Sequence, residues 1–121
     1  MTGPPPPAVV VESEAHGKHV IVRIVGELDV FNAESTTNEI EQAIPTESHG
    51  AVVDLTAVGF LDSTAIRKLF GLTTRLAERR QQILIVTPDG SIVHRTLQLV
   101  DFSRAAPIHE TLDSALDSLS L

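Results

Sequence analysis

The sequence predicts one α/β domain built on a small mixed sheet. Three observations lead there. Short apolar runs rich in Val and Ile begin at Val9 and His19 and occupy Ala51 to Leu55 and Ile83 to Val86; they have the length and composition of strands. From Glu27 onward, longer stretches with apolar residues three and four apart separate these runs. Strands then alternate with helices, and right-handed parallel crossovers follow. The first two runs are instead joined by His16-Gly17-Lys18, a turn that makes them an antiparallel hairpin. A chain of 121 residues that is 42% hydrophobic suits one core, and with four Phe as its only aromatics that core is aliphatic.

The elements follow in order. In the second strand Val20, Val22 and Ile24 alternate with Ile21, Arg23 and Val25, and Gly26 is expected to end it. Glu27-Leu28-Asp29 leads to a helix with its body at Ala33 to Ala43, Asn32 as N-cap, and Ile40, Ala43 and Ile44 as a weak apolar stripe. Pro45 stops it, and an exposed loop runs to Gly50. Ala51 to Leu55 reads as a buried strand, followed by a turn from Thr56 to Leu61. A second helix starts at Asp62 or Ser63, with Ile66, Leu69, Phe70, Thr73, Leu76 and Ala77 at helical spacing. After Ile83 to Val86, the run Thr87-Pro88-Asp89-Gly90 breaks the chain. Ser91 caps a third helix carrying Ile92, Val93, Leu97 and Val100. Ala106 to His109 reads as a final edge strand, where Pro107 is tolerated. Thr111 to Leu119 is a last amphipathic helix, with Leu112, Ala115, Leu116 and Leu119 on one face. Met1 to Pro7, with four prolines, reads as a disordered or polyproline-II tail ahead of a domain at 8–121.

Composition removes several functions. A net charge of −7 argues against a nucleic-acid partner, which needs a basic face. The absence of cysteine removes disulfides, thiolate catalysis and cysteine-based zinc sites. No apolar run approaches the ~18 residues of a membrane span. The N-terminus has neither the basic start nor the apolar core of a signal peptide, so a cytoplasmic protein is expected. His16 and His19 flank a hairpin turn, and His49, His94 and His109 stand alone, so no metal site is expected. No glycine-rich nucleotide motif and no nucleophile elbow occurs.

One polar group stands out by position. Ser63-Thr64 falls at the start of the second helix, where backbone N–H groups are unpaired and the helix dipole is positive. A phosphate is tolerated there. Ordinary helix capping also accounts for Asp62-Ser63-Thr64, so spacing does not decide between them. A nucleophilic Ser63 would need a base, and nothing places a histidine beside it. Asp62 reads as a cap or a partner contact, and Asp54 as an acceptor for nearby backbone N–H groups.

Two motifs carry a family resemblance. Val52-Val53-Asp54-Leu55, followed by Val58-Gly59-Phe60-Leu61-Asp62-Ser63-Thr64-Ala65-Ile66, resembles the signature of STAS-domain anti-sigma factor antagonists. Val25-Gly26-Glu27-Leu28-Asp29 resembles that family's second motif, at the family's usual separation. The resemblance covers nearly the whole chain from about Ala8. It implies a mixed sheet with helices mainly on one face, and a regulator of transcription rather than an enzyme. It implies that Ser63, directly after the aspartate, is the phosphorylated residue, with Thr64 as the runner-up. The implied partner face comprises Asp29, Val30, Asp62, Thr64, Ala65, Arg67 and Lys68.

The implied partners are an anti-sigma factor serine kinase of histidine-kinase-like ATPase fold and a metal-dependent serine phosphatase. ATP and Mg²⁺ then belong to the kinase, and this chain has no cofactor. The unphosphorylated protein binds the kinase and frees a sigma factor; the phosphorylated protein lets go. The sequence departs from the family where many members continue with Gly-Leu-Gly. Ala65-Ile66-Arg67-Lys68 stands here instead, and Arg67 adds bulk and positive charge one turn from Ser63. Pairing with a phosphate, selecting a partner and a plain solvated face are all open for it. The alternative within the same fold is a constitutive adaptor subunit of a membrane lipid or anion transport complex, docking through the same helix face.

Overall fold

The computed structural model describes residues 9–119. The elements are β1 (Val9–His16), β2 (His19–Leu28), α1 (Ala33–Gln42), β3 (Gly50–Leu61), α2 (Ser63–Glu78), β4 (Gln82–Val86) and α3 (Ile92–Leu99). A 3₁₀ turn at Phe102–Arg104, β5 (Ile108–His109) and α4 (Leu112–Ser118) complete them. The tail expected at Met1 to Pro7 lies outside the described residues. The sheet order is β1-β2-β3-β4-β5. β1 and β2 are antiparallel, and every other neighbouring pair is parallel. Among the described residues no helix is long and apolar enough to cross a membrane.

Two strands run further than the sequence suggests. β2 passes through Gly26 to Leu28, with Gly26 at φ 130°. β3 does not turn at Thr56; it continues to Leu61 and pairs with β2 as far as Leu28↔Leu61. The register explains why this segment looks like a turn. It steps from Arg23↔Asp54 to Val25↔Ala57, then from Gly26↔Val58 to Glu27↔Phe60. β3 therefore gains one residue on β2 twice. Each bulge resets the inside–outside alternation. Thr56-Ala57 and Gly59-Phe60 become exposed pairs, while Val58 and Leu61 stay buried.

The main core lies on one face of the sheet. Val22 and Ile24 of β2, Val53 of β3 and Ile85 of β4 meet Ile40 of α1, Leu69, Leu72 and Leu76 of α2, and Leu97 of α3. Phe102 is fully buried beside Phe70, the rings 4.5 Å apart. On α2 the inner face includes Leu72 but not Ala77, which is exposed. On α3 only Val93 and Leu97 of the expected set enter the core; Ile92 and Val100 face outward. Truncating a fully buried leucine such as Leu72 to alanine costs about 2–5 kcal/mol. α4 packs on the opposite face, where Ala115 meets Val52, Leu84 and Val86. Three helices thus cover one face and one short helix covers part of the other.

Both ends of β3 are fixed by particular residues. At its start Gly50 takes φ 135°, and an added Cβ would lie 1.8 Å from the Gln82 carbonyl oxygen. No side chain fits where β3 and β4 approach so closely. Nearby, the buried Gln81 amide donates to the carbonyls of Pro45 (2.8 Å) and Ser48 (3.1 Å), clamping the α1–β3 loop. At its far end β3 delivers Asp62 and Ser63.

Candidate functional site

Because β2 and β3 are parallel, their C-terminal ends emerge side by side, Leu28 opposite Leu61. The β2–α1 loop and the start of α2 are neighbours for that reason. Asp62 joins them. Its backbone is extended, which makes it the N-cap of α2, and its Oδ1 accepts from the Ala65 N–H at 2.8 Å. Its Oδ2 accepts from the Val30 N–H, also at 2.8 Å. The Asp62 N–H donates to the Leu28 carbonyl at 3.1 Å. One carboxylate therefore caps a helix and holds a loop 32 residues away in sequence.

The loop secures itself as well. Asp29 Oδ1 accepts from the Phe31 N–H at 2.9 Å. Asn32 does not cap α1 with its side chain, as the sequence suggested. Its Oδ1 accepts from the Asp29 N–H at 3.0 Å, and its Nδ2 donates to the Glu27 carbonyl at 2.9 Å. The loop's own N–H groups compete for it and win.

Within this frame Ser63 is the first residue of α2 and is exposed. Its hydroxyl has no hydrogen-bond partner among the described residues. Thr64 differs: it is half-buried, and its Oγ1 accepts from Arg67 Nη2 at 3.5 Å. Lys68 reaches Glu34 on α1 at 3.5 Å. Ala65 is only 1% exposed and packs into the core, so its side chain is withdrawn from the expected partner face. The expected face held Val30, but the sequence missed the two phenylalanines that extend it into an apolar rim. Phe31 is 93% exposed, and Val30 and Phe60 are also open to solvent. A phenylalanine is ordinarily assigned to the core, and only the loop fold shows that Phe31 points away from it.

The other chemistry-bearing residues are elsewhere. Asp54 accepts from the Thr56 N–H at 2.9 Å and lies 3.6 Å from Arg23 Nε, the structural role expected of it. His16, His19 and His49 sit at the opposite end of the strands, with the His19 and His49 rings 5.7 Å apart. Burial, then the neighbouring His49 and His16, lowers the His19 pKa from its ordinary 6.5. His94 Nδ1 lies 2.8 Å from Thr87 Oγ1, and its Nε2 lies 3.7 Å from Asp89. Thr87 is fully buried, and this row of groups ties the end of β4 to α3. His109 lies 3.0 Å from Ser114. Among the described residues no histidine bonds to Ser63, and no cluster could hold a metal ion.

The fold and this end of the sheet define a small α/β domain that presents a free serine at a helix start. The chain belongs to the STAS domain family, whose model matches residues 10–115. It is similar to the anti-sigma-F factor antagonist RsfB of Mycobacterium tuberculosis, with 24% identity over 111 residues, 92% of this chain and 89% of that one. Its fold resembles the crystal structure of an anti-sigma factor antagonist from Mycobacterium paratuberculosis, with TM-score 0.81, 24% identity and coverage of 93% and 95%. It also resembles the Bacillus cell fate determinant SpoIIAA in its phosphorylated form, with TM-score 0.64, 18% identity and coverage of 91% and 99%.

Proposed function

We propose that this chain is an anti-sigma factor antagonist controlled by phosphorylation of Ser63. Unphosphorylated, it binds an anti-sigma factor serine kinase and frees a sigma factor; phosphorylated, it releases the kinase. The observation that carries this reading is the Ser63 hydroxyl: exposed, without a hydrogen-bond partner among the described residues, and rigidly placed at the start of α2. The similarity to proteins named as anti-sigma factor antagonists supports it.

This reading implies a definite chemistry. Ser63 Oγ attacks the γ-phosphate of ATP held by the kinase. The Oγ–P bond forms, the bond to the β-phosphate breaks, and ADP leaves. Asp62 is committed to two backbone N–H groups, so the base that takes the serine proton belongs to the kinase. The product carries about −1.5 to −2 of new charge at neutral pH. Beside the carboxylates of Asp29 and Asp62 and the apolar rim of Val30, Phe31 and Phe60, that charge opposes a desolvated interface. A metal-dependent serine phosphatase would restore the binding form. Thr64 is the weaker acceptor, because Arg67 occupies its hydroxyl.

Incubation with the host's anti-sigma kinases and ATP, followed by intact mass and peptide mapping, tests the reading. One phosphate on Ser63, lost in Ser63→Ala, is expected. A phosphate on Thr64 would move the site. Tight binding to a transport ATPase with no phosphate from any kinase would replace this reading with a constitutive adaptor.

A further inference from the structure

Arg67 is the one strongly basic group that faces the first turn of α2 without a carboxylate partner among the described residues. Its neighbours are spoken for. Lys68 is drawn to Glu34, Arg75 and Arg79 are both paired with Glu41, and both Asp62 oxygens accept backbone N–H bonds. Residues 63 and 67 are four apart on a helix, so their side chains share a face with Cβ atoms about 5–6 Å apart. Helical side chains lean toward the N-terminus. Arg67 does so here: its guanidinium already touches Thr64 Oγ1, one residue from Ser63. That contact engages one N–H of the five in the fork and leaves the others available.

We propose that Arg67 is the internal counter-ion of a phosphoryl group on Ser63. The guanidinium swings from Thr64 to the phosphate oxygens, a rotation within reach of its flexible stem, and takes them in a charge-assisted pair. The charge added by modification is unchanged, and the phosphate–guanidinium pair carries about one net negative charge. This rests on Ser63 being the modified residue and gives a function to a cation that has no carboxylate partner among the described residues. A phosphate held this way is stabilised in its dianionic form, since a nearby cation favours the charged state.

The test does not need the kinase. Phosphoserine is placed at position 63 by genetic encoding, and its second ionisation is followed by ³¹P NMR at low salt. The ordinary value lies near 6. In the otherwise native chain it should fall by about half a unit relative to Arg67→Gln, and ~1 M salt should erase the difference. Arg80→Gln, at the far end of α2, should leave it unchanged. Equal titrations of the native and Arg67→Gln phosphoproteins at low salt would overturn the proposal. Failure of the kinase reading has another signature: an unmodified chain that no anti-sigma kinase binds or phosphorylates.

Discussion

The two ends of the sheet solve the same problem in opposite ways. Each must hold a loop between α1 and the strands. At the end near Ser63, a charged side chain on the surface does it: Asp62 bonds α2 and the β2–α1 loop at once. At the other end, the neutral and buried Gln81 reaches the carbonyls of Pro45 and Ser48. The first arrangement leaves a free hydroxyl and Phe31 facing solvent. The second turns its polar group inward, onto the carbonyls of the α1–β3 loop. A negative anchor at the Ser63 end also means that added negative charge there meets charge already present. The contrast teaches that stability and recognition can be built from similar hydrogen-bond counts, with the ionisation state of the anchor separating them.

The largest effect should come from charge at the Ser63 end. Ser63→Asp should weaken kinase binding roughly 100-fold, since like charge in an interface costs several kcal/mol. Its thermal midpoint should stay near that of the native protein, because a carboxylate at the first helical position suits the dipole. Calorimetric titration against the kinase checks this, and undiminished affinity would break the charge account.

Next come the two anchors, compared directly. Asp62→Ala loses a cap and a loop contact, and should lose about 2 kcal/mol of stability. Gln81→Ala should lose about 1–2 kcal/mol, because the α1–β3 loop loses its hydrogen bonds to a buried amide. Denaturant unfolding measures both. Only Asp62→Ala should also weaken kinase binding; equal binding defects in the two variants would erase the distinction between the ends.

The smallest effect is a pH dependence confined to the histidine end. The folded-state pKa of His19 is depressed, so the unfolded chain binds more protons between the two values. Stability from this group is therefore complete above its ordinary 6.5 and falls as pH drops below that, levelling off once pH is under the folded-state value. Unfolding midpoints from pH 7.5 to 5.5 should decline, and His19→Gln should flatten the slope. Glu41 acts lower on the scale. Burial pushes its pKa up, but hydrogen bonds and charge from Arg75 and Arg79 outweigh this and bring it below the usual 4.5. Its contribution is present above 4.5 and is lost as pH falls through the depressed value.

Much of this organisation is legible in the sequence. The hairpin turn, the start of β3, the Asp62 cap, β4 and the Ser91 cap all follow from local patterns that the fold keeps. The illegible parts are those set by distant partners. Thr56 to Leu61 reads as a turn because two bulges destroy its period, and only pairing with β2 makes it a strand. Asn32 has the identity of a cap, yet the loop takes its side chain. The Asp62–Val30 bond joins residues too far apart for any local pattern to show. Ser63 could be singled out because motif and helix start coincide; Phe31 could not, because nothing local tells an exposed Phe from a buried one.

Gly50 carries a consequence for how this gene would respond to mutation. Any side chain there collides with the Gln82 backbone, so every replacement should deplete the folded protein, whereas Ser63→Ala should keep the fold and bind its partner persistently. The two kinds of variant would separate in cellular abundance: Ser63 variants would accumulate to normal levels, whereas Gly50 variants would be cleared by proteolysis.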